Sequence, residues 1–115
     1  MVRISFEQRN SKLTLKIKGH AGQAEKGNDI VCASCSILAY IVAQFVREAE
    51  YKRNLKSTPE IKLESGDTVI SCEPTDNILY EMQNMYLFAE KGYILLSNSF
   101  PQYVELIPFG QPDEA

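Results

Sequence analysis

Polar and apolar residues alternate from the second position of the chain. Val2, Ile4 and Phe6 point to one side and Arg3, Ser5 and Glu7 to the other, which is the period of a half-buried strand. Arg9, Asn10, Ser11 and Lys12 form a polar turn cluster. Leu13, Leu15 and Ile17 then alternate with Thr14, Lys16 and Lys18, so the two runs read as a β-hairpin. From Gly19 to Asn28 the alternation stops. Gly19, Gly22 and Gly27 make this stretch conformationally permissive, and it reads as a mobile loop.

Helical spacing replaces it. Asn28 or Asp29 is a suitable N-cap, because either side chain accepts from the orphan amides of a first turn. Apolar residues recur at 30, 33, 37, 41 and 45, with 31, 38, 42, 46 and 49 beside them. The helix should end in the polar stretch near Glu50 to Asn54. Between Ile37 and Ala43 it is apolar all round, which demands either burial inside the domain or a second subunit against one face. Ile61 and Leu63 open a second hairpin, Ser65-Gly66-Asp67 turns it, and Thr68 to Cys72 closes it. Thr75 or Asp76 caps a second helix. Its stripe of Ile78, Met82, Met85, Tyr86, Ala89, Tyr93 and Leu96 runs in phase through Gly92 to Asn98. A rival reading stops this helix at Gly92 and makes Tyr93 to Leu96 a strand. One long helix is preferred, since a helical glycine costs only about 1 kcal/mol. Pro101 ends it, Tyr103 to Ile107 alternates as a last strand, and the tail from Gln111 to Ala115 should fray. The order is ββαββαβ. The class is therefore α+β, a mainly antiparallel sheet with two long helices packed on it.

Composition narrows the function. With 115 residues the prior is a single domain over 1–115, and 44% hydrophobic against 23% charged residues is ordinary for a folded chain. A net charge of −3 argues against a protein whose main task is gripping phosphates, so no direct nucleic-acid partner is expected. No unbroken apolar run approaches the roughly 18 residues of a membrane span, and the N-terminus carries no secretory pattern. The expectations are no membrane partner and a cytoplasmic location. Three cysteines in such a chain are not a disulfide framework.

The chemistry concentrates at the permissive loop. The single histidine, His20, precedes it, and Cys32 follows about one turn into the helix. Most lone histidines are bland surface residues, and most helix cysteines are core. Together they read differently. A first-turn thiol faces orphan amides and the positive end of the helix dipole, which favour thiolate, and a neighbouring imidazolium adds to this. A thiolate–imidazolium pair is the activated nucleophile of cysteine hydrolases. Asp29 and Ser36 share the helix face of Cys32. Asp29 either caps the helix or orients His20, and the roles are compatible. Ser36 reads as a local backbone hydrogen-bonder. Amides around Cys32 are candidate holders of an oxyanion. Two other chemistries use the same residues. Cys32 and Cys35 form a Cys-x-x-Cys at a helix start, although no βαβ pattern precedes it. A zinc site from His20, Cys32, Cys35 and Cys72 is formally possible, but Cys72 falls in a strand and looks like core.

Gly19-His20-Ala21-Gly22, then Gly27-Asn28-Asp29-Ile30-Val31-Cys32-Ala33 and Ser36, resemble the signature of the ribosomal-processing cysteine protease (Prp) family. The likeness is strong over residues 19–36. Elsewhere it is one of length, element order and a closing segment, Phe100-Pro101-Gln102-Tyr103. It implies a cysteine (thiol) endopeptidase with His20 and Cys32 as its catalytic dyad. Gly19, Gly22, Gly27, Asp29 and Ser36 would be supporting residues, and no cofactor or metal is implied. It implies a substrate, the N-terminal extension of a large-subunit ribosomal protein, and a homodimer, which suits the all-round apolar helix. Cys35 departs from the pattern, which has a small or aliphatic residue there. Related phage proteins make a capsid-processing or prohead protease an alternative. A non-catalytic ribosome-associated binding module is the reading from another class. The segment from Ala21 to Asn28 is expected to act as a gate that orders when a peptide binds.

Overall fold

The chain forms β1 (Val2–Arg9), β2 (Lys12–Lys18), α1 (Ile30–Tyr51), β3 (Glu60–Glu64), β4 (Asp67–Cys72), α2 (Asp76–Ser99) and β5 (Val104–Ile107). This computed structural model describes residues 1–21 and 29–112. The element order is the expected ββαββαβ. The expected loop mobility, the gate and the placement of Gly22 and Gly27 lie outside the described residues, as does the end of the tail.

The strands make one five-stranded sheet in the order β3-β4-β2-β1-β5. Three neighbouring pairs are antiparallel, and β1 with β5 is parallel. Parallel pairing needs a long crossover. The chain reaches β5 only after α2 has carried it back along the sheet. Register puts the apolar sets on one face. Phe6 lies opposite Leu15, Leu15 opposite Ile70, and Ile4 opposite Leu106. Val2, Ile4, Phe6, Leu13, Leu15 and Ile70 are buried with residues of both helices in one core. The opposite face carries Arg3, Lys16, Lys18, Lys62 and Glu105, which alternate with them.

Both helices show why they pack where they do. Asp29 caps α1, and the helix buries Val31, Cys35, Ala39, Val42, Ala43, Val46 and Ala49. α2 runs unbroken through Gly92, and the crossing with α1 explains the glycine. A Cβ there would lie 2.8 Å from Leu38 Cδ1, so the small residue admits the neighbouring helix. Fully buried Tyr93 donates its hydroxyl to the Cys35 carbonyl at 2.9 Å, a second tie between the helices.

The lack of an unbroken apolar run does not carry over to the length and composition of the helix as a whole. α1 is long and apolar enough, by length and composition, to cross a membrane. Ser34, Ser36 and Gln44 interrupt its apolar residues without lowering the average much. Its buried stripe packs in the core of the two-layer fold. Its outward side remains apolar: Ile37 is 57% exposed, Ile41 46% and Phe45 48%.

Candidate active site

β2 ends at Lys18, and Gly19 then turns the chain with φ of +87°. A side chain does not fit there, since a Cβ would stand 2.5 Å from the Met1 carbonyl oxygen. The Gly19 amide donates to the Gly66 carbonyl at 2.9 Å, and the His20 carbonyl accepts from the Met1 nitrogen at 2.7 Å. These bonds anchor the backbone on both sides of His20 to its neighbours. The His20 ring lies against Gly66 in the β3–β4 turn.

The thiol comes from the other direction. Asp29 is buried, and its Oδ1 accepts from the amides of Val31 at 3.0 Å and Cys32 at 3.1 Å. This is the capping role expected of it. Cys32 follows in the first turn, half-buried, and Ser36 one turn later. The cap also answers the oxyanion expectation. The Val31 and Cys32 amides are held by the Asp29 carboxylate, and the Ala33 amide donates to the Asp29 carbonyl at 3.1 Å. The amides around Cys32 are therefore already partnered rather than waiting for an oxyanion.

His20, Cys32 and Ser36 all line one cleft of about 250 Å³. Its walls include apolar Val2, Ile17, Ala39 and Leu63, with Tyr40 on α1 and Glu64 to Thr68 from the β3–β4 hairpin. A thiol, an imidazole and an open space big enough for a peptide side chain thus meet in one place. Gly19 belongs to the same cleft. The sequence pattern missed Tyr40, Gly66 and Asp67 as cleft residues. Ser65-Gly66-Asp67 was legible as a turn, but only the pairing of β4 with β2, which sets Asp67 opposite Lys18, brings it beside His20.

The competing chemistries fare less well. Burial pushes the Cys35 thiol up to about 12, with the charges of Cys32 and Asp29 adding to the effect. A thiol held protonated at neutral pH is a poor attacking group in disulfide exchange. Burial likewise pushes the Cys72 thiol up to about 11, partly offset by its contact with the Tyr86 hydroxyl at 3.7 Å. Cys72 ends β4, four residues beyond Thr68, the last residue of that strand on the cleft, so at about 3.3 Å per residue it stands roughly 13 Å away. Among the described residues no group of three or more His, Cys, Asp or Glu side chains is placed to hold a metal ion.

Comparisons with known proteins bear on the family and the fold. A family model described as cysteine protease Prp matches residues 1–105. A search of curated proteins finds no match. Among solved structures, the ribosomal processing protease Prp from Staphylococcus aureus, in complex with a covalently linked product peptide, is similar with a TM-score of 0.70 at 17% identity. The likeness covers 94% of this chain and 99% of that one. The same protease with a substrate peptide gives 0.65 at 16% identity, again over 94% and 99%. The SMU.848 protein of Streptococcus mutans gives 0.63 at 22% identity, over 95% of this chain and 94% of that one. At these identities the structures show the shared fold.

Proposed function

This chain belongs to the cysteine protease Prp family, and from that premise we propose that Cys32 and His20 are its catalytic dyad. We propose further that its substrate is the N-terminal extension of a large-subunit ribosomal protein, cut in the cytoplasm where that protein is made. The carrying observation is that His20, from the end of β2, and Cys32, from the start of α1, line the same cleft. In this reading His20 takes the thiol proton of Cys32, and the thiolate attacks the scissile carbonyl. The imidazolium then gives its proton to the leaving amine as the tetrahedral species collapses to a thioester. Water, deprotonated by His20, attacks the thioester carbonyl and releases the acid and the free thiol. Asp29 supports the nucleophile by fixing the first turn of α1.

The reading includes a homodimer formed through α1. Its support is the outward apolar stripe of Ile37, Ile41 and Phe45, which continues into Tyr40 at the cleft wall. A helix layer facing only water has little reason to carry such a stripe.

The test is incubation of the protein with N-terminal segments of its host's large-subunit ribosomal proteins, read by mass spectrometry. One cut by the wild type and none by Cys32→Ala is the expected result. Fast alkylation of Cys32 without any such cut would redirect the search to a capsid or scaffold target. A slow thiol and no cut would leave a binding module.

A further inference from the structure

Gly66 stands outside the signature of residues 19–36 and belongs to a hairpin that contributes neither the nucleophile nor the base. It adopts φ of +73°, and a Cβ built on it would lie 2.6 Å from His20 Nε2, 3.0 Å from Cε1 and 3.2 Å from Cδ2. All three atoms belong to the far edge of the imidazole. The ring therefore rests edge-on against the Gly66 backbone, at a distance that no side chain permits. The contact is held from two sides. The Gly66 carbonyl accepts from the Gly19 amide at 2.9 Å, next to His20 in the chain. Asp67, the next residue, pairs its carboxylate with Lys18 at the end of β2 and with Lys62 on β3. Lys18, Gly19, Gly66 and Asp67 thus clamp the turn to the strand end from which His20 projects.

We propose that Gly66 is a positioning residue for the reaction: its bare backbone is the seat that sets the orientation of the His20 imidazole toward Cys32. The inference rests on the dyad reading above. A Cβ at position 66 would push Nε2 and Cε1 away, and the ring must then turn or lift. Either movement removes the base from the line of proton transfer, where placement matters at the scale of about 1 Å.

Gly66→Asn is the variant of choice, because asparagine tolerates a positive φ better than other side chains while still carrying a Cβ. Gly110→Asn is its control. Gly110 has φ of +82°, and a Cβ there meets nothing within 4 Å, so it carries the same backbone cost without the histidine. His20 is the single histidine, so its Cε1–H resonance is unambiguous. The expected result for Gly66→Asn is a fall of kcat by about tenfold or more with KM nearly unchanged, a partial loss of the roughly 10²–10⁴-fold that positioned acid–base groups contribute. Alkylation of Cys32 at pH 6 should slow in parallel, and the His20 resonance should shift. Gly110→Asn should leave all of these at wild-type values. Should Gly66→Asn fail to fold, the wild type decides: nuclear Overhauser contacts between His20 Cε1–H and the Gly66 α protons are required, and their absence overturns the inference. Full activity in Gly66→Asn together with a dead His20→Ala overturns the seat and spares the dyad. An active His20→Ala overturns the dyad and the seat together.

Discussion

Cys32 and Cys35 sit one helical turn apart, yet the fold treats their thiols differently. Cys32 is half-buried in the cleft, whereas Cys35 is buried and pushed up to about 12. In the folded protein at pH 6 to 8, iodoacetamide should therefore label Cys32 and leave Cys35 and Cys72 intact, with all three labelled in denaturant. Peptide mapping by mass spectrometry checks this, and comparable labelling of Cys35 in the folded state would contradict the burial argument. Cys32→Ala should abolish cleavage and leave thermal stability near the wild-type value, because alanine is the best helix former and the position is half-open. The cap is a different matter. Asp29→Ala removes the acceptor of two first-turn amides, and should lower stability by about 1–2 kcal/mol in a denaturant titration. His20, Cys32 and the capping Asp29 were legible in the sequence because they lie close together along it and their chemistry is local. Gly66 was not. A glycine in a turn is unremarkable until pairing between distant strands presses a histidine onto it.

At the level of elements, the β3–β4 hairpin and the helix crossing each make a measurable claim. The Asp67 carboxyl is held below its ordinary 3.8, first by its hydrogen bond from Lys18 and then by that from Lys62. A carboxyl with a lowered pKa in the folded state stabilises the fold above its unfolded pKa. That contribution is lost as pH falls through the folded value, where the folded form also takes up the proton. On acidification below pH 4 the wild type should therefore lose more of its urea midpoint than Asp67→Asn does, and the two curves should converge. Parallel curves would show that the ion pairs with Lys18 and Lys62 contribute nothing to folding. In the helix layer, Gly92→Ala gains helix propensity but places a Cβ 2.8 Å from Leu38 Cδ1. Overpacking in a closed core typically costs about 1–3 kcal/mol. Leu38, however, is half-buried and Cδ1 is the free end of its side chain, so a rotamer shift relieves the contact for less than the roughly 1 kcal/mol that propensity returns. The single variant should be at least as stable as the wild type in a denaturant titration, and Gly92→Ala should gain more in a Leu38→Ala background than alone; a clear loss would show that Leu38 does not give way. The continuity of α2 was readable from its stripe, which stays in phase across Gly92. The reason for the glycine was not, because it belongs to the other helix. The parallel partner of β5 was equally hidden, since alternation marks a strand without saying which neighbour it joins.

For the whole molecule, the decisive asymmetry lies between the two sides of the helix layer. The inner side is consumed by the sheet, with Val31, Ala39, Val42 and Val46 of α1 and Tyr86 and Tyr93 of α2 in the core. The outer side carries Ile37, Ile41 and Phe45 on α1, and Phe88 on α2 is 77% exposed. A second copy of the chain is the occupant that the dimer reading assigns to this surface, and the stripe reaches the cleft through Tyr40. Two consequences separate this from a merely greasy surface. Ile41→Glu and Phe45→Glu each place a charge on the stripe without touching the core, so each should yield a folded monomer by analytical ultracentrifugation at micromolar concentration, where the wild type should sediment as a dimer. Because Tyr40 belongs both to the stripe and to the cleft wall, loss of the partner should also change KM for a peptide substrate. The rate of Cys32 alkylation by a small reagent should hardly move, since Cys32 and His20 line one cleft within a single chain. A wild-type protein that sediments as a clean monomer would remove the assembly from the picture. A monomeric variant with unaltered KM would keep the dimer and detach it from substrate binding.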